Sequence, residues 1–234
     1  MPVQFSSDPL PINPGERHVP VVLLVDNSSS MLGDPMSELN QGLIEFGQAL
    51  QNDSLALGRA EVCVISFNST VQIEMSFRPA TEYQAPVLKA GGATALNEAI
   101  DAGLDMIENR KSEYRAQGIA YYRPWLFVLT DGAPTDISRE SGSMSRLQHT
   151  IESKKVVYMP MGIGANADIR KLQQYYPDSV KIKPVLKAEA SNFKEAFVWL
   201  SNSIAIVSHS DPEIASEVSL PPVPENITLS VGIN

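Results

Sequence analysis

The sequence has little cysteine and no long apolar segment. Cys63 is the only cysteine among 234 residues, so an internal disulfide is excluded, and its apolar neighbours are typical of a buried position. No uninterrupted apolar run exceeds five residues, as in Val21–Val25, whereas a membrane-spanning helix needs about 20. Residues 1–10 lack both the basic start and the apolar stretch of a secretory signal. We therefore expect a cytoplasmic protein that does not contact a membrane.

Positive charge and histidine are also scarce. Lys and Arg number 18 against 27 Asp and Glu, which gives a net charge of −9. Because an acidic surface repels phosphate backbones, nucleic acid is not expected as a partner. The three histidines lie far apart in the sequence with no cysteine-rich segment near them, so a zinc site has little support.

Short apolar segments rich in β-branched residues predict six strands. They lie at Val19–Val25, Glu61–Phe67, Val71–Phe77, Trp125–Thr130, Val156–Met161 and Val180–Val185. The segment Val71–Phe77 alternates apolar and polar residues and follows the second strand closely, which predicts an antiparallel edge strand. The other segments are nearly continuous apolar runs, as buried parallel strands should be.

Apolar residues at helical spacing separate these strands. The helical patterns cover residues 36–50, 96–107, 137–154, 169–176 and 193–207. Strands that alternate with helices form right-handed crossovers and a sheet covered on both faces. The sequence therefore predicts a single Rossmann-like α/β domain. Its sheet should have six mostly parallel strands, with one antiparallel edge strand.

The two ends of the chain differ in composition from its middle. We assign residues 1–17 to an N-terminal arm, 18–210 to the domain and 211–234 to a C-terminal arm. The last segment carries four acidic residues and four prolines but no Lys or Arg. Composition alone leaves open whether these arms pack on the domain or hang free.

Polar side chains follow the predicted strands at the edge where ligands bind in open α/β sheets. Asp26, Ser28 and Ser30 come directly after the first strand, and Asp131 follows the strand Trp125–Thr130. Thr94 lies on a glycine-rich loop that leads into a helix. Two carboxylates and three hydroxyls suit a small hard cation. We therefore predict a Mg²⁺ site, with Mn²⁺ or Ca²⁺ as alternative occupants.

The pattern Asp26-x-Ser28-x-Ser30, then Thr94, then Asp131, resembles the metal-ion-dependent adhesion site (MIDAS) of von Willebrand factor A (VWA) domains. The resemblance extends over about residues 19–207. The segments Asp131–Asp136 and Phe193–Ser203 are further similar to the TerY-type branch of that family, which is associated with bacterial tellurium-resistance and stress-response operons. The resemblance implies that the five oxygen-bearing residues hold the metal.

The same resemblance implies a protein-binding module that is not an enzyme. A partner's Asp or Glu would complete the coordination of the metal, and the implied partners include a protein kinase and a metal-dependent phosphatase. Two residues depart from the family pattern, which usually has glycine where Ser29 and Ala93 stand. Both departures restrict the backbone at positions where glycine allows a positive φ.

Three other interpretations remain open. Asp26, Ser28 and Ser30 can form turns that bond only to nearby backbone amides. A Mg²⁺-dependent hydrolase or phosphatase is the alternative enzyme, although none of the site loops carries a histidine that could act as a base. A structural subunit held in an assembly by its arms is the third. We interpret Asp136 as a helix cap or loop anchor, not as a ligand.

Overall fold

The computed structural model describes residues 15–131, 133–164, 167–210 and 219–233. Within these ranges the chain forms one sheet with helices on both faces. The seven strands found there are β1 (Val19–Asp26), β2 (Ala60–Phe67), β3 (Val71–Pro79), β4 (Trp125–Thr130), β5 (Val157–Ile163), β6 (Ile182–Ala188) and β7 (Ile227–Ile233). The α-helices are α1 (Asp34–Asn52), α2 (Ser54–Arg59), α3 (Leu96–Gln117), α4 (Glu140–Glu152), α5 (Ile169–Gln174) and α6 (Phe193–His209).

The strands follow the order β3-β2-β1-β4-β5-β6-β7. The five inner strands are parallel, whereas β3 and β7 pair antiparallel at the two edges. This arrangement confirms the predicted α/β architecture with a mostly parallel sheet and an antiparallel edge at β3. The predicted number of six strands is wrong, because β7 adds a second antiparallel edge strand.

The seventh strand lies in the segment that the sequence assigns to an acidic arm. Apolar and polar residues alternate over 227–233, which is the period of a strand with one buried face. The strand runs from Ile227, opposite Ala188, to Ile233, opposite Ile182. Prolines and acidic residues just before it dominate the composition of the segment and conceal this short pattern.

The residues before β7 pack along α6. The indole Nε1 of Trp199 donates to the Pro221 carbonyl at 3.0 Å, and Trp199 is buried. A cleft of about 340 Å³ remains between α6 and the prolines of this segment. The rest of the predicted arms, residues 1–14, 211–218 and 234, lies outside the described residues.

Alternate residues of β1 are buried against opposite layers of helices. Val21 and Leu23 belong to the core cluster that includes residues of α1 and α6, whereas Val22 and Leu24 belong to the cluster that includes residues of α3. Helices on both faces explain why the central strands are continuous apolar runs. No helix in the described part of the chain has the length and apolarity to cross a membrane.

The strand order reverses between β1 and β4, which are sheet neighbours although they are distant in sequence. Val25 of β1 pairs with Leu129 of β4. Because the two strands are parallel, the residues that follow them emerge together at the same edge of the sheet. Ligands bind at such switch points in open α/β sheets, so this edge is where the predicted site should lie.

A buried ion pair lies toward the other edge of the sheet. The guanidinium Nε of Arg110 donates to the carboxylate of Glu61 at 2.7 Å, and both side chains are buried. The Tyr114 hydroxyl donates to the same carboxylate, and burial together with the charge of Glu61 raises the pKa of Tyr114 well above its usual range. These bonds fasten α3 to the start of β2, away from the predicted site.

Candidate metal site

Asp26 ends β1 as a fully buried carboxylate. Its Oδ1 accepts the Ser28 backbone N–H at 2.8 Å, and its Oδ2 accepts the Thr130 hydroxyl at 2.6 Å. Burial raises the pKa of Asp26 to about 6 although these hydrogen bonds act to lower it, and the negative charge of Asp131 adds to the rise. A carboxylate in this position is stabilised by a nearby positive charge.

The hydroxyls of two serines connect this region to the second predicted carboxylate. Ser28 Oγ and Ser30 Oγ are 2.9 Å apart, and the Ser30 hydroxyl donates to Asp131 Oδ1 at 2.7 Å. Ser30 and Asp131 are separated by 101 residues in the sequence. The structure therefore brings Asp26, Ser28, Ser30 and Asp131 together in one hydrogen-bonded cluster.

Backbone hydrogen bonds place the loop that carries Thr94 at the same edge of the sheet. The loop before it is bonded to the first site loop, because Gly91 N donates to Asn27 O at 2.9 Å and Ser29 N donates to Gly92 O at 3.0 Å. On its other side, the Thr94 carbonyl accepts the backbone N–H of Thr135 at 2.9 Å. The loop that carries Thr94 is thus bonded to the loops that follow β1 and β4.

The two departures from the family pattern cause no backbone strain. In the part of the chain that the structure describes, Lys154 is the one residue other than glycine with a positive φ, so neither Ser29 nor Ala93 has one. The positive φ of this loop lies at Gly92, with a value of 81°. A Cβ at Gly92 would stand 2.6 Å from Ser69 Oγ, so this position requires glycine on two grounds.

Asp136 anchors the Asp131 loop to the start of α3. Its Oδ2 accepts the Glu98 backbone N–H at 2.8 Å, and its Oδ1 accepts the Asn97 side-chain amide at 2.9 Å. This confirms the interpretation of Asp136 as a cap or anchor. The helix it caps, α3, precedes it in the chain, a pairing that no local sequence pattern could show.

Sequence reasoning missed two threonines that support the site. Thr130 donates to Asp26, and the Thr135 hydroxyl lies 3.1 Å from both the backbone N and the carbonyl oxygen of Thr94. A polar residue at the end of the apolar strand β4 was a usable signal for Thr130. No signal in the sequence pointed to Thr135, because its contact joins segments 41 residues apart.

The cluster offers oxygen donors only. Among the described residues no group of three or more His, Cys, Asp or Glu side chains could hold a metal ion, so any site here depends on serine and threonine hydroxyls beside the two carboxylates. Hard cations such as Mg²⁺ are bound by few carboxylates and retain water. The donor set therefore fits a hard divalent cation.

Comparisons with known proteins agree with this fold. The family model for the von Willebrand factor type A domain matches residues 21–192. A search of curated proteins gives no match. Among solved structures, the vWF domain of the type V pili tip protein Mfa5 from Porphyromonas gingivalis has a TM-score of 0.60 at 10% identity, with 84% of this chain and 98% of that chain covered.

Two further solved structures carry the same fold at low identity. The von Willebrand factor type A protein from Catenulispora acidiphila has a TM-score of 0.57 at 15% identity, over 81% of this chain and 43% of that chain. Proximal thread matrix protein 1 from the mussel byssus, solved with a zinc-occupied MIDAS motif, has a TM-score of 0.55 at 16% identity. This chain covers 48% of the byssus protein.

Proposed function

The chain belongs to the von Willebrand factor type A family, and from that premise we propose that it is a metal-dependent protein-binding module. The observation that carries the proposal is the hydrogen-bonded cluster of Asp26, Ser28, Ser30 and Asp131 at the switch point of the sheet. An acidic residue of a partner protein would complete the coordination of the bound ion.

We assign the metal to Asp26, Ser28, Ser30, Thr94 and Asp131. Mg²⁺ suits this donor set best, with Mn²⁺ and Ca²⁺ as alternatives. The zinc-occupied MIDAS motif of the byssus protein supports a divalent ion in this fold. When bound, the ion supplies a positive charge with an open position for a carboxylate.

Each residue has a distinct part in this proposal. Asp26 supplies buried negative charge, and Thr130 and the Ser28 backbone N–H fix the orientation of its carboxylate. Ser28 and Ser30 present hydroxyl oxygens, and Asp131 adds the second negative charge. Thr94 adds a third hydroxyl on a loop whose backbone is bonded on both sides.

We place the protein in the TerY-like branch because of the segments Asp131–Asp136 and Phe193–Ser203. We further propose that it acts in a cytoplasmic complex with a protein kinase and a metal-dependent phosphatase. The setting of this complex would be a stress response associated with tellurium resistance. Affinity capture from the native organism with and without EDTA tests this setting. Recovery of such partners only with Mg²⁺ supports it, and capture that EDTA leaves unchanged contradicts it.

Thermal unfolding with added MgCl₂ tests the metal site itself. At a Mg²⁺ concentration one hundred times the Kd, the bound ion stabilises the folded state by about 2.7 kcal/mol. For a chain of this size, that corresponds to a rise in Tm of roughly 5–10 °C. Asp26→Ala should abolish the rise. Asp34→Ala, which removes an exposed acidic residue from the start of α1, should retain it.

Two experimental outcomes would contradict this proposal and favour a different function. Turnover of a phosphoester panel that requires Mg²⁺ and is lost in Asp26→Ala would favour a hydrolase. Partner capture that survives Asp26→Ala but is lost on deletion of residues 211–234 would favour a structural subunit.

A further inference from the structure

The three most exposed large apolar side chains in the described ranges stand on segments next to the candidate metal site. Val87, Ile137 and Leu32 are 82%, 69% and 63% exposed. In the described ranges the next most exposed is Ile182, at 62%, which begins β6 at the opposite edge of the sheet. One exposed apolar residue is ordinary in a soluble protein. Three such residues, on the segments after β1 and β4 and on the segment whose Lys89 carbonyl is bonded to Asn27, favour a surface that contacts a partner.

Two of these residues lie close in the chain to the residues that form or support the site. Leu32 lies two positions after Ser30, and its backbone N–H donates to Ser29 O at 3.2 Å. Ile137 follows Asp136, whose carboxylate is fixed on the start of α3. The backbone beside each of these side chains is therefore held by hydrogen bonds of the loops that carry the site.

Val87 stands on a third loop, whose backbone is bonded to α1 and to the loop that carries Asn27. The next residue, Leu88, has its backbone N–H and carbonyl bonded to the side chain of Asn40 at 2.8 and 3.0 Å. The Lys89 carbonyl accepts the side-chain amide of Asn27 at 3.0 Å, and Asn27 stands between Asp26 and Ser28 in the chain. An ordered backbone lowers the entropy lost when a partner binds.

The charge of the chain limits what can approach this edge. A net charge of −9 repels an acidic partner over most of the surface. Lys89, two residues after Val87, is exposed, and the two carboxylates of the site would be offset by the bound ion. An acidic partner residue is therefore favoured at the metal position, with apolar groups beside it.

We propose that Leu32, Val87 and Ile137 form an apolar collar that selects the partner at the metal site. Its occupant is a partner segment in which one Asp or Glu is flanked by Leu, Ile, Val or Met. This inference rests on the proposed function, and it adds the chemistry of the flanking residues. Apolar flanks exclude water from the carboxylate and so strengthen its attraction to a cation.

Synthetic peptides with one central glutamate provide the test. One set carries Leu and Ile on both sides of the glutamate, and a matched set carries Ser and Thr at the same positions. Affinities are measured by fluorescence anisotropy in excess MgCl₂ and again in EDTA. We expect the apolar set to bind at least tenfold more tightly in MgCl₂, because burying even one such side chain is worth about tenfold.

Three substitutions test whether the collar causes this preference. The combined variant Leu32→Ser, Val87→Ser and Ile137→Ser should bind both peptide sets equally and should keep the Mg²⁺-induced rise in Tm. Ile182→Ser, equally exposed at the far edge, should leave the preference unchanged. Equal affinity of the two peptide sets for the native protein, or a preference that survives the triple variant, overturns the collar.

Further measurements separate the collar from the metal site. If Mg²⁺ raises Tm but neither peptide set binds, the collar proposal fails and the metal site stands. If the apolar set binds equally in EDTA and the triple variant loses that binding, the collar stands and the metal-dependent function fails. An EDTA-sensitive dimer that the triple variant loses makes the occupant a second copy of this chain and overturns a separate partner.

Discussion

Asp26 receives hydrogen bonds from two directions, and the donors come from different segments of the chain. The Ser28 backbone N–H is supplied by the same loop, whereas the Thr130 hydroxyl is supplied by β4. Thr130 therefore ties the first carboxylate to the strand that leads to the second one. Groups that orient a ligand in this way influence metal affinity without touching the metal.

We expect Thr130→Val to weaken Mg²⁺ binding by about 10- to 100-fold, the usual effect of removing a group that orients a metal ligand. Valine has nearly the same shape, so the packing of β4 should be preserved. Isothermal titration with MgCl₂ measures the affinity, and a Tm measured in EDTA checks that the fold is intact. An unchanged affinity would show that Asp26 needs no partner in β4.

Asp53 offers a prediction about pH. It caps α2, where its Oδ1 accepts the backbone N–H groups of Leu55 and Ala56 at 3.0 and 2.8 Å, and it lies 3.3 Å from His209. Partial burial raises its pKa, but the amide of Ala56 and the contact with His209 outweigh burial, so the pKa of Asp53 is lowered from 3.8.

Asp53→Ala should destabilise the protein by about 1 kcal/mol at neutral pH, because a helix cap is lost. A lowered pKa stabilises the fold above the unfolded value of 3.8, and that stabilisation is lost as the pH falls through the lower folded value. The difference in free energy of unfolding between the native protein and the variant, measured in urea, should therefore shrink below about pH 4. A difference in free energy of unfolding that does not change with pH would attribute the effect to packing alone.

At the residue scale, the sequence indicated the members of the hydrogen-bonded cluster but not the residues that support them. Asp26, Ser28 and Ser30 lie within five positions of one another, so their pattern is visible in a linear chain. Thr135, which holds the backbone of Thr94, belongs to another loop. Its role depends on tertiary structure, which no local pattern specifies.

Among the elements, α1 and α6 pack so closely that a glycine is required between them. A Cβ built on Gly42 of α1 would stand 2.5 Å from the ring of Phe197 in α6, and both residues are buried. Apart from its chain neighbours and the backbone of its own helix, Gly142 of α4 has no atom within 4 Å of the corresponding position, and it is exposed. The two glycines therefore provide a matched pair.

We expect opposite effects of alanine at these glycines. Gly42→Ala should destabilise the protein by about 1–3 kcal/mol, because the aromatic ring and the helix must move apart. Gly142→Ala should stabilise it by about 0.5–1 kcal/mol through helix propensity. Urea unfolding of both variants measures the contrast. A neutral Gly42→Ala would mean that the helices separate without cost.

Element boundaries followed from periodicity only where the pattern was long. The stripe over residues 36–50 predicted most of α1, whereas the six-residue helix α2 was missed because one turn and a half shows too little period to detect. The strand β7 was missed for a related reason. Its seven residues alternate correctly, but the prolines before them suggested an irregular arm.

On the scale of the whole molecule, the C-terminal segment completes the sheet. It covers the edge of β6 and places Pro221 against Trp199. An uncovered edge strand exposes unpaired backbone groups that favour association between chains. The segment therefore contributes to stability at a distance from the candidate metal site.

Deletion of residues 211–234 should lower the Tm and promote self-association, because the edge of β6 and the side chain of Trp199 become exposed. The rise in Tm on adding MgCl₂ should persist, since the site is formed by loops that follow β1 and β4. Differential scanning fluorimetry and light scattering measure both effects. Loss of the Mg²⁺ response would place part of the site in the deleted segment.

The direction of the edge strand β7 also determines how the protein can be attached to a surface. Val19 begins β1, and Ile233 of β7 lies opposite Ile182, the first residue of β6. Because β1 and β6 run parallel in the sheet, Val19 and Ile233 lie at the end of the sheet opposite Asp26, the last residue of β1. Attachment to a surface at that end would leave the Asp26 cluster facing outward, where a partner held on a second surface could reach it.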